Sequence, residues 1–325
     1  MTRKRESISR RRFNRIALMG TAFALSSGTA RSARANSSRN PVRLGGPVFY
    51  KGGDPEAWAD SHKKLGYGAA TCPLGPDASD AEIEAYRQAA RKMDLVIAEV
   101  GAWSNPVSRN EGERQKALEK CRNSLALADR IGARCCVNIS GSRSEQWDGP
   151  HPDNFTRATF DLIVESTRSV IDAVRPKRTF FTLETMPWAY PDSPDSYRSL
   201  IKAIDRKQFA VHLDPVNMIS SPQRYYSNGA FIRDSFKKLG PQMKACHAKD
   251  ILLQNRLTTH LDEVRPGLGN LDYEVFLSEL SKLPDPPPLI IEHLKTSEEY
   301  RLSAEYIRGV GKKIGVPFIW GKIPS

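Results

Sequence analysis

The sequence predicts an α/β protein built as a (β/α)8 barrel. Three observations carry the prediction. Beyond a basic head of about 40 residues, eight strand-length apolar runs alternate with eight helix-like segments. The alternation occupies about 285 residues, close to the ~250 typical of this fold. The runs are apolar throughout rather than alternating, as strands buried on both faces require. A doubly wound open sheet also alternates strand and helix, but it usually carries Gly-x-Gly-x-x-Gly after its first strand. Gly45-Gly46 and Gly52-Gly53 do not fit that spacing.

The elements follow in order. Val42–Tyr50 reads as the first strand, and Asp54-Pro55-Glu56 starts a helix with Asp as N-cap and Pro at the first helical position. Tyr67–Cys72 is a second strand. Ser79–Lys92 is a helix with Ser79 and Glu82 at capping-box spacing. Leu95–Trp103 is a third strand, and Glu113–Ile131 is a long helix stopped by Gly132. Cys135–Ser140 is a fourth strand; a polar loop through Trp147 and His151 leads to a helix from Asn154 to Val174. Phe180–Thr185, Phe209–Asp214, Met243–His247 and Leu289–Glu292 complete the strands. Their helices read as Ser193–Ile204, Asn228–Leu239, Asp272–Leu283 and Ser297–Ile314, with a long insertion from Ile251 to Asn270.

Composition narrows the function. The formal net charge is +12, but residues 1–40 hold ten Lys/Arg and one Glu, so the remainder carries only about +3. A nearly neutral folded part lacks the electrostatic footprint of a polyanion binder, and no nucleic-acid partner is expected. The head has the order of an export signal. Ser9-Arg10-Arg11-Arg12-Phe13 resembles the twin-arginine motif, and an apolar stretch from Ile16 to Leu25 precedes the cleavage pattern Ala33-Arg34-Ala35. Residues 1–35 are thus expected to be a cleaved signal, with one barrel domain over 41–325 and a periplasmic or extracellular location. The apolar stretch is too short to span a bilayer, so no membrane contact is expected after cleavage. Five cysteines without paired spacing do not form a disulfide framework.

Four successive strands finish on metal-binding residue types: Glu184, Asp214, His247 and Glu292. Catalytic groups of this barrel sit at the C-terminal strand ends. Three carboxylates and one imidazole make an oxygen-rich set suited to Mn²⁺, Mg²⁺ or Co²⁺.

At this point the chain resembles the xylose-isomerase-like TIM barrels known as sugar phosphate isomerases/epimerases. The resemblance rests on Leu183-Glu184-Thr185-Met186-Pro187-Trp188, His212-Leu213-Asp214-Pro215-Val216-Asn217, Cys246-His247-Ala248-Lys249-Asp250, Pro266-Gly267-Leu268-Gly269-Asn270-Leu271-Asp272-Tyr273 and Ile291-Glu292-His293. It implies one divalent cation held by Glu184, Asp214, His247 and Glu292, with Mn²⁺ preferred and Mg²⁺, Co²⁺ or Zn²⁺ as alternatives. It also implies that Glu184 and Glu292 shuttle protons on a sugar through a metal-stabilised enediolate. Two positions depart from the family's sugar epimerases. Asn217 stands where a substrate-contacting His is common, and Leu253 lies near the position of a substrate Arg.

Other residues are placed more loosely. Lys249 lies two residues past His247 and is expected either to bind substrate or to pair with Asp250 at the surface. Trp103, Trp188 and Tyr50 follow strands, where they would stack on a sugar ring. His151 and His260 are expected in rim loops near substrate. His212 reads as a buried hydrogen-bonding residue, His62 as solvated, and His293 as pointing away from Glu292. The leading function is a sugar isomerase or epimerase with a small sugar as partner; a homo-oligomer is left open. The alternative is a lyase or hydrolase on keto-sugar glycosides using the same enolate chemistry. An abasic-site-type endonuclease, which uses a histidine-rich three-zinc cluster, ranks below both, as does a non-catalytic sugar-binding protein.

Overall fold

The computed structural model describes residues 39–319. The export signal read at 1–35 lies outside the described residues, as do residues 320–325.

Eight parallel strands close on themselves: β1 (Val42–Gly45), β2 (Ala69–Thr71), β3 (Val96–Gly101), β4 (Cys135–Asn138), β5 (Phe181–Glu184), β6 (Phe209–Leu213), β7 (Met243–Ala248) and β8 (Leu289–Ile291). Each is paired with the next. Closure comes from β1 against β8, with Leu44 opposite Leu289 and Gly45 opposite Ile290. Gly45 sits tightly between both neighbouring strands, because a Cβ there would overlap the Ala69 carbonyl oxygen of β2 and the Ile290 side chain of β8. This is the (β/α)8 barrel expected from the alternation.

The helices between strands are α1 (Pro55–Lys64), α2 (Asp80–Lys92), α3 (Glu111–Ile131), α4 (Arg157–Val174), α5 (Pro194–Ile204), α6 (Asn228–Leu239), α7 (Tyr273–Lys282) and α8 (Ser297–Ile314). Their starts follow local chemistry. Asp54 accepts from Glu56 N–H, Ser79 and Glu82 form the capping box, and Gly132 ends α3 in the left-handed conformation. Their apolar faces cover the strands. One continuous core runs from Val42 to Val316.

Several boundaries differ from the sequence expectation. The strands at the first four positions are shorter: β1 stops at Gly45 rather than Tyr50, and β4 at Asn138 rather than Ser140. Apolar residues of the rim loops lengthen the apparent runs. The insertion after β7 is structured. Asp250–Leu253 and Leu261–Val264 pair as an antiparallel hairpin beside the barrel mouth. Asp250 is its anchor. It accepts from the backbone N–H groups of Ile251, Gly267, Gly269 and Leu271, which fixes the Pro266–Leu271 turn.

His62 corrects an expectation. It is buried, not solvated: it shares the inward face of α1 with Trp58 and Ala59 and packs between Trp58 and Tyr67. Burial pushes its imidazole down to about 4, although its Nδ1 contact with the Trp58 carbonyl opposes the shift.

Candidate metal and active site

The four strand-end residues converge. One ligand atom from each of Glu184, Asp214, His247 and Glu292 lies within 4.8 Å of the others. Glu184 ends β5, Asp214 follows β6, His247 is on β7 and Glu292 follows β8. Hydroxyl braces hold the first two strand ends in place. Tyr197, on α5, sits between β5 and β6; its hydroxyl accepts from the Leu183 and His212 N–H groups and faces the Leu183 and Ala210 carbonyls. Thr185 Oγ1 accepts from Asp214 N–H at 3.1 Å and donates to the Asp214 carbonyl at 2.8 Å.

Each side chain is aimed by its neighbours. Asp214 Oδ1 accepts from Val216 and Asn217 N–H, which leaves Oδ2 turned inward. His247 Nδ1 lies 3.0 Å from Glu184 Oε1 and 2.8 Å from Glu292 Oε1. On the far side of the ring, His247 Nε2 is 3.5 Å from Glu99 Oε1. Glu99 Oε2 is 2.8 Å from His212 Nε2. Carboxylates therefore face both ring nitrogens of His247; with Nδ1 acting as a metal ligand, Glu99 would be the acceptor that keeps the ring N–H on Nε2. Sequence reasoning missed Glu99. The available signal was a lone charge inside the apolar run Val96–Gly101. His212 is the buried hydrogen-bonding residue expected of it.

Lys249 is buried among these carboxylates rather than paired with Asp250 at the surface. Its Nζ is 2.8 Å from Asp214 Oδ2 and 2.7 Å from Glu292 Oε1. These are ion-pair approaches without hydrogen-bond alignment, since both oxygens are buried and lack a hydrogen-bond partner. His293 also departs from expectation. The strand ends at Ile291 and His293 adopts a left-handed φ of 60°, so strand alternation no longer applies. The ring turns back, with Nδ1 3.1 Å from Glu263 and Nε2 3.6 Å from Glu292.

Electrostatics follow from this packing. Burial alone would raise the Glu184 carboxyl, but His247 and Lys249 beside it bring it down to about 2. Glu292 is likewise held low: His247 and Lys249 outweigh its burial. Asp214, the most enclosed, is pushed up to about 6 by burial, against the pull of Lys249. Burial opposes charge on His247, yet Glu292, Glu184 and Glu99 hold its imidazole well above its usual value.

The residues fit a divalent cation. Asp214 Oδ2 and Glu292 Oε1, which Lys249 faces without an aligned hydrogen bond, are hard oxygen donors aimed into the cluster, and His247 Nδ1 adds a borderline nitrogen. With His247 neutral, as a metal ligand must be, three carboxylates against one ammonium leave two negative charges, which one divalent cation would balance.

The cluster forms the floor of a cavity of about 420 Å³. Glu184, Asn217, Lys249 and Glu292 line it, as do Trp103 and Trp188. Asn217 Nδ2 donates to Glu184 Oε1 at 3.1 Å. Trp147 also lines the cavity. His151 and His260 lie elsewhere. His151 Nδ1 accepts from Asp153 N–H and faces a separate groove beside Arg109, while His260 belongs to the hairpin turn, where its carbonyl accepts from Gln254 N–H. Tyr50 is outside the cavity lining; its hydroxyl accepts from Asp54 N–H.

A comparison with the curated protein sequences returns no match. Solved structures share the fold. A xylose isomerase-like TIM barrel protein from Mycobacterium smegmatis in complex with magnesium is 18% identical, with a TM-score of 0.58 over 86% of this chain and 97% of that one. The 3-keto-D-glucoside 4-epimerase of E. coli, in its apo form, is 15% identical, with a TM-score of 0.60 over 82% and 99%. Endonuclease IV from Thermus thermophilus is 14% identical, with a TM-score of 0.62 over 83% and 99%. Residues 60–310 match the sequence signature of the xylose isomerase-like TIM barrels, and the chain belongs to that family.

Proposed function

We propose that this protein is a divalent-metal-dependent sugar isomerase or epimerase that works by proton transfer through an enediolate. The observation that carries this reading is the facing pair of Glu184 and Glu292, whose carboxylates meet at His247 Nδ1 on the floor of the cavity. Glu184, Asp214, His247 and Glu292 would hold the ion, with Mn²⁺ preferred. Bound there, it would supply Lewis-acid polarisation of the substrate carbonyl and neutralise developing oxyanion charge.

The chain's own groups do the rest. One glutamate takes the proton alpha to the carbonyl, and the other returns a proton. Return to the opposite face of the same carbon inverts that centre; return to the adjacent carbon moves the carbonyl. Asn217 fixes one Glu184 oxygen, and Lys249 holds Asp214 and Glu292 in register across the floor. The near-complete burial of Glu184, Asp214 and His247 keeps bulk water from competing for the proton.

A small sugar is the proposed partner, rather than nucleic acid. The cavity is rich in carboxylates, and the chain beyond its head is close to neutral. Export by the twin-arginine route is part of the proposal on the strength of the N-terminal sequence alone.

The test is a panel of free, phosphorylated and 3-keto sugars incubated with the Mn²⁺-supplied protein in heavy water and followed by NMR. Deuterium is expected at a carbon alpha to the carbonyl, at a rate reduced about 10²- to 10⁴-fold in Glu184→Gln and in Glu292→Gln. No exchange across the panel would sink the proposal.

A further inference from the structure

The floor of the cavity accounts for one reacting ring, but its walls and mouth are built for more. Four tryptophans are described, and Trp58 belongs to the core. The other three, Trp103, Trp147 and Trp188, all line this one cavity and are 37%, 41% and 37% exposed. They arrive from three separate loops, after β3, β4 and β5, so sequence proximity does not explain their meeting. Leaving three indoles partly in water forgoes hydrophobic stabilisation that a bound apolar ring face would recover.

Two of these segments are held from behind. Trp188 Nε1 donates to the Asp148 carbonyl at 2.6 Å, and Asn154 Nδ2 donates to the Trp188 carbonyl at 3.0 Å. Lys120 Nζ donates to the Trp103 carbonyl at 2.9 Å, and the Trp103 indole lies back over Gly101, where a Cβ would overlap it. Rigid aromatic walls bind without the entropy cost of ordering loose side chains.

Charge argues against a phosphorylated ligand. Among the described residues, the cationic side chains lining the cavity are Lys249 and His293, and both already face carboxylates. Asp148, Glu184, Glu263 and Glu292 line the same space. Even with the proposed divalent ion counted, these four carboxylates and Asp214 outnumber the positive charges of Lys249, His293 and the ion, and a phosphate would meet no free arginine fork. The volume of about 420 Å³ lies in the ~300–1,000 Å³ range of sites that enclose drug-sized ligands.

We infer that the substrate is an uncharged two-ring glycoside, with its reacting sugar at the Glu184–Glu292 floor and its second ring stacked on the tryptophans. The second ring is either another sugar or a flat aromatic aglycone, since both present a face to an indole. The inference rests on the proposed function only for the placement of the reacting ring.

The test is calorimetric titration of the full chain in Mn²⁺ with four probes: glucose, glucose 6-phosphate, cellobiose and 4-nitrophenyl β-glucoside. At least one two-ring probe is expected to bind about tenfold or more tighter than glucose and glucose 6-phosphate. The better of the two identifies the second ring as sugar or aromatic. Trp147→Ala and Trp188→Ala should each weaken that probe by about fivefold to tenfold, and glucose by a clearly smaller factor. Trp188→Phe keeps an aromatic face and should retain most of the affinity, which separates stacking from misfolding. Tightest binding of glucose 6-phosphate, no preference for either two-ring probe, or equal weakening of all ligands by the tryptophan changes would overturn the inference. Failure of the proton-transfer reading looks different: no deuterium exchange, with two-ring binding and its tryptophan dependence intact.

Discussion

His62 and His247 are both sealed from solvent, yet the protein treats them in opposite ways. His62 lies on α1 between Trp58 and Tyr67, among rings and aliphatic carbons, and burial pushes it down to about 4. His247 lies on β7 among Glu292, Glu184 and Glu99, and those carboxylates hold it well above its usual value despite equal burial. The difference separates scaffold from site. In the shell between α1 and the barrel, a buried polar ring stays neutral and makes one backbone contact. At the mouth-side floor, burial is combined with an excess of anions that only cations satisfy. Lys249 supplies one cation there, and the divalent ion would supply the rest.

Removing a cation from the floor should have the largest effect. Lys249→Met leaves Asp214 and Glu292 facing each other without the ammonium now 2.8 and 2.7 Å away. Breaking a buried pair from one side typically costs about 3–5 kcal/mol. Urea denaturation in chelator should show a loss of that order, and saturating Mn²⁺ should narrow it. A loss of the same size with and without Mn²⁺ would mean that the lysine acts only as structural filler.

Next comes the scaffold histidine. Its folded value of about 4 lies below the unfolded 6.5, so the unfolded chain binds the extra proton as pH falls. The His62 contribution is therefore fully present above pH 6.5 and is lost progressively as pH falls towards 4, by about 3 kcal/mol in total. His62→Phe should have a flatter stability–pH curve over that window than the parent chain. Parallel curves for the two proteins would refute the assignment.

The smallest expected effect probes the carboxylate behind the site. Glu99→Gln replaces the acceptor that faces Nε2 of both His212 and His247. Loss of such a partner typically weakens metal affinity about 10- to 100-fold. Chelator competition for Mn²⁺ measures this without reference to turnover. Unchanged affinity would show that His247 is oriented by its other contacts.

The same contrast explains what could be read from the sequence. The barrel was legible because alternation of buried strands and amphipathic helices is a one-dimensional signal. The strand-end residues Glu184, Asp214, His247 and Glu292 were legible because the fold sends every strand terminus to one rim. Glu99 was not, because it lies within β3 and acquires its role only when β6 and β7 bring His212 and His247 beside it. Tyr197 was hidden for the same reason: its hydroxyl serves β5 and β6 from α5. His62 misled because charged neighbours such as Lys63 and Lys64 mask the inward face it shares with Trp58 and Ala59. His293 misled because alternation was extended two residues past the end of β8, into a left-handed turn.

The central claim is that Glu184, Asp214, His247 and Glu292 form one divalent-cation site, and metal stoichiometry tests it most directly. Native mass spectrometry of the protein loaded with Mn²⁺ and then desalted should show one ion per chain, and no ion in Glu184→Gln or Asp214→Asn of unchanged fold. An ion that survives both substitutions, or a complement of three zinc ions per chain, would contradict the account.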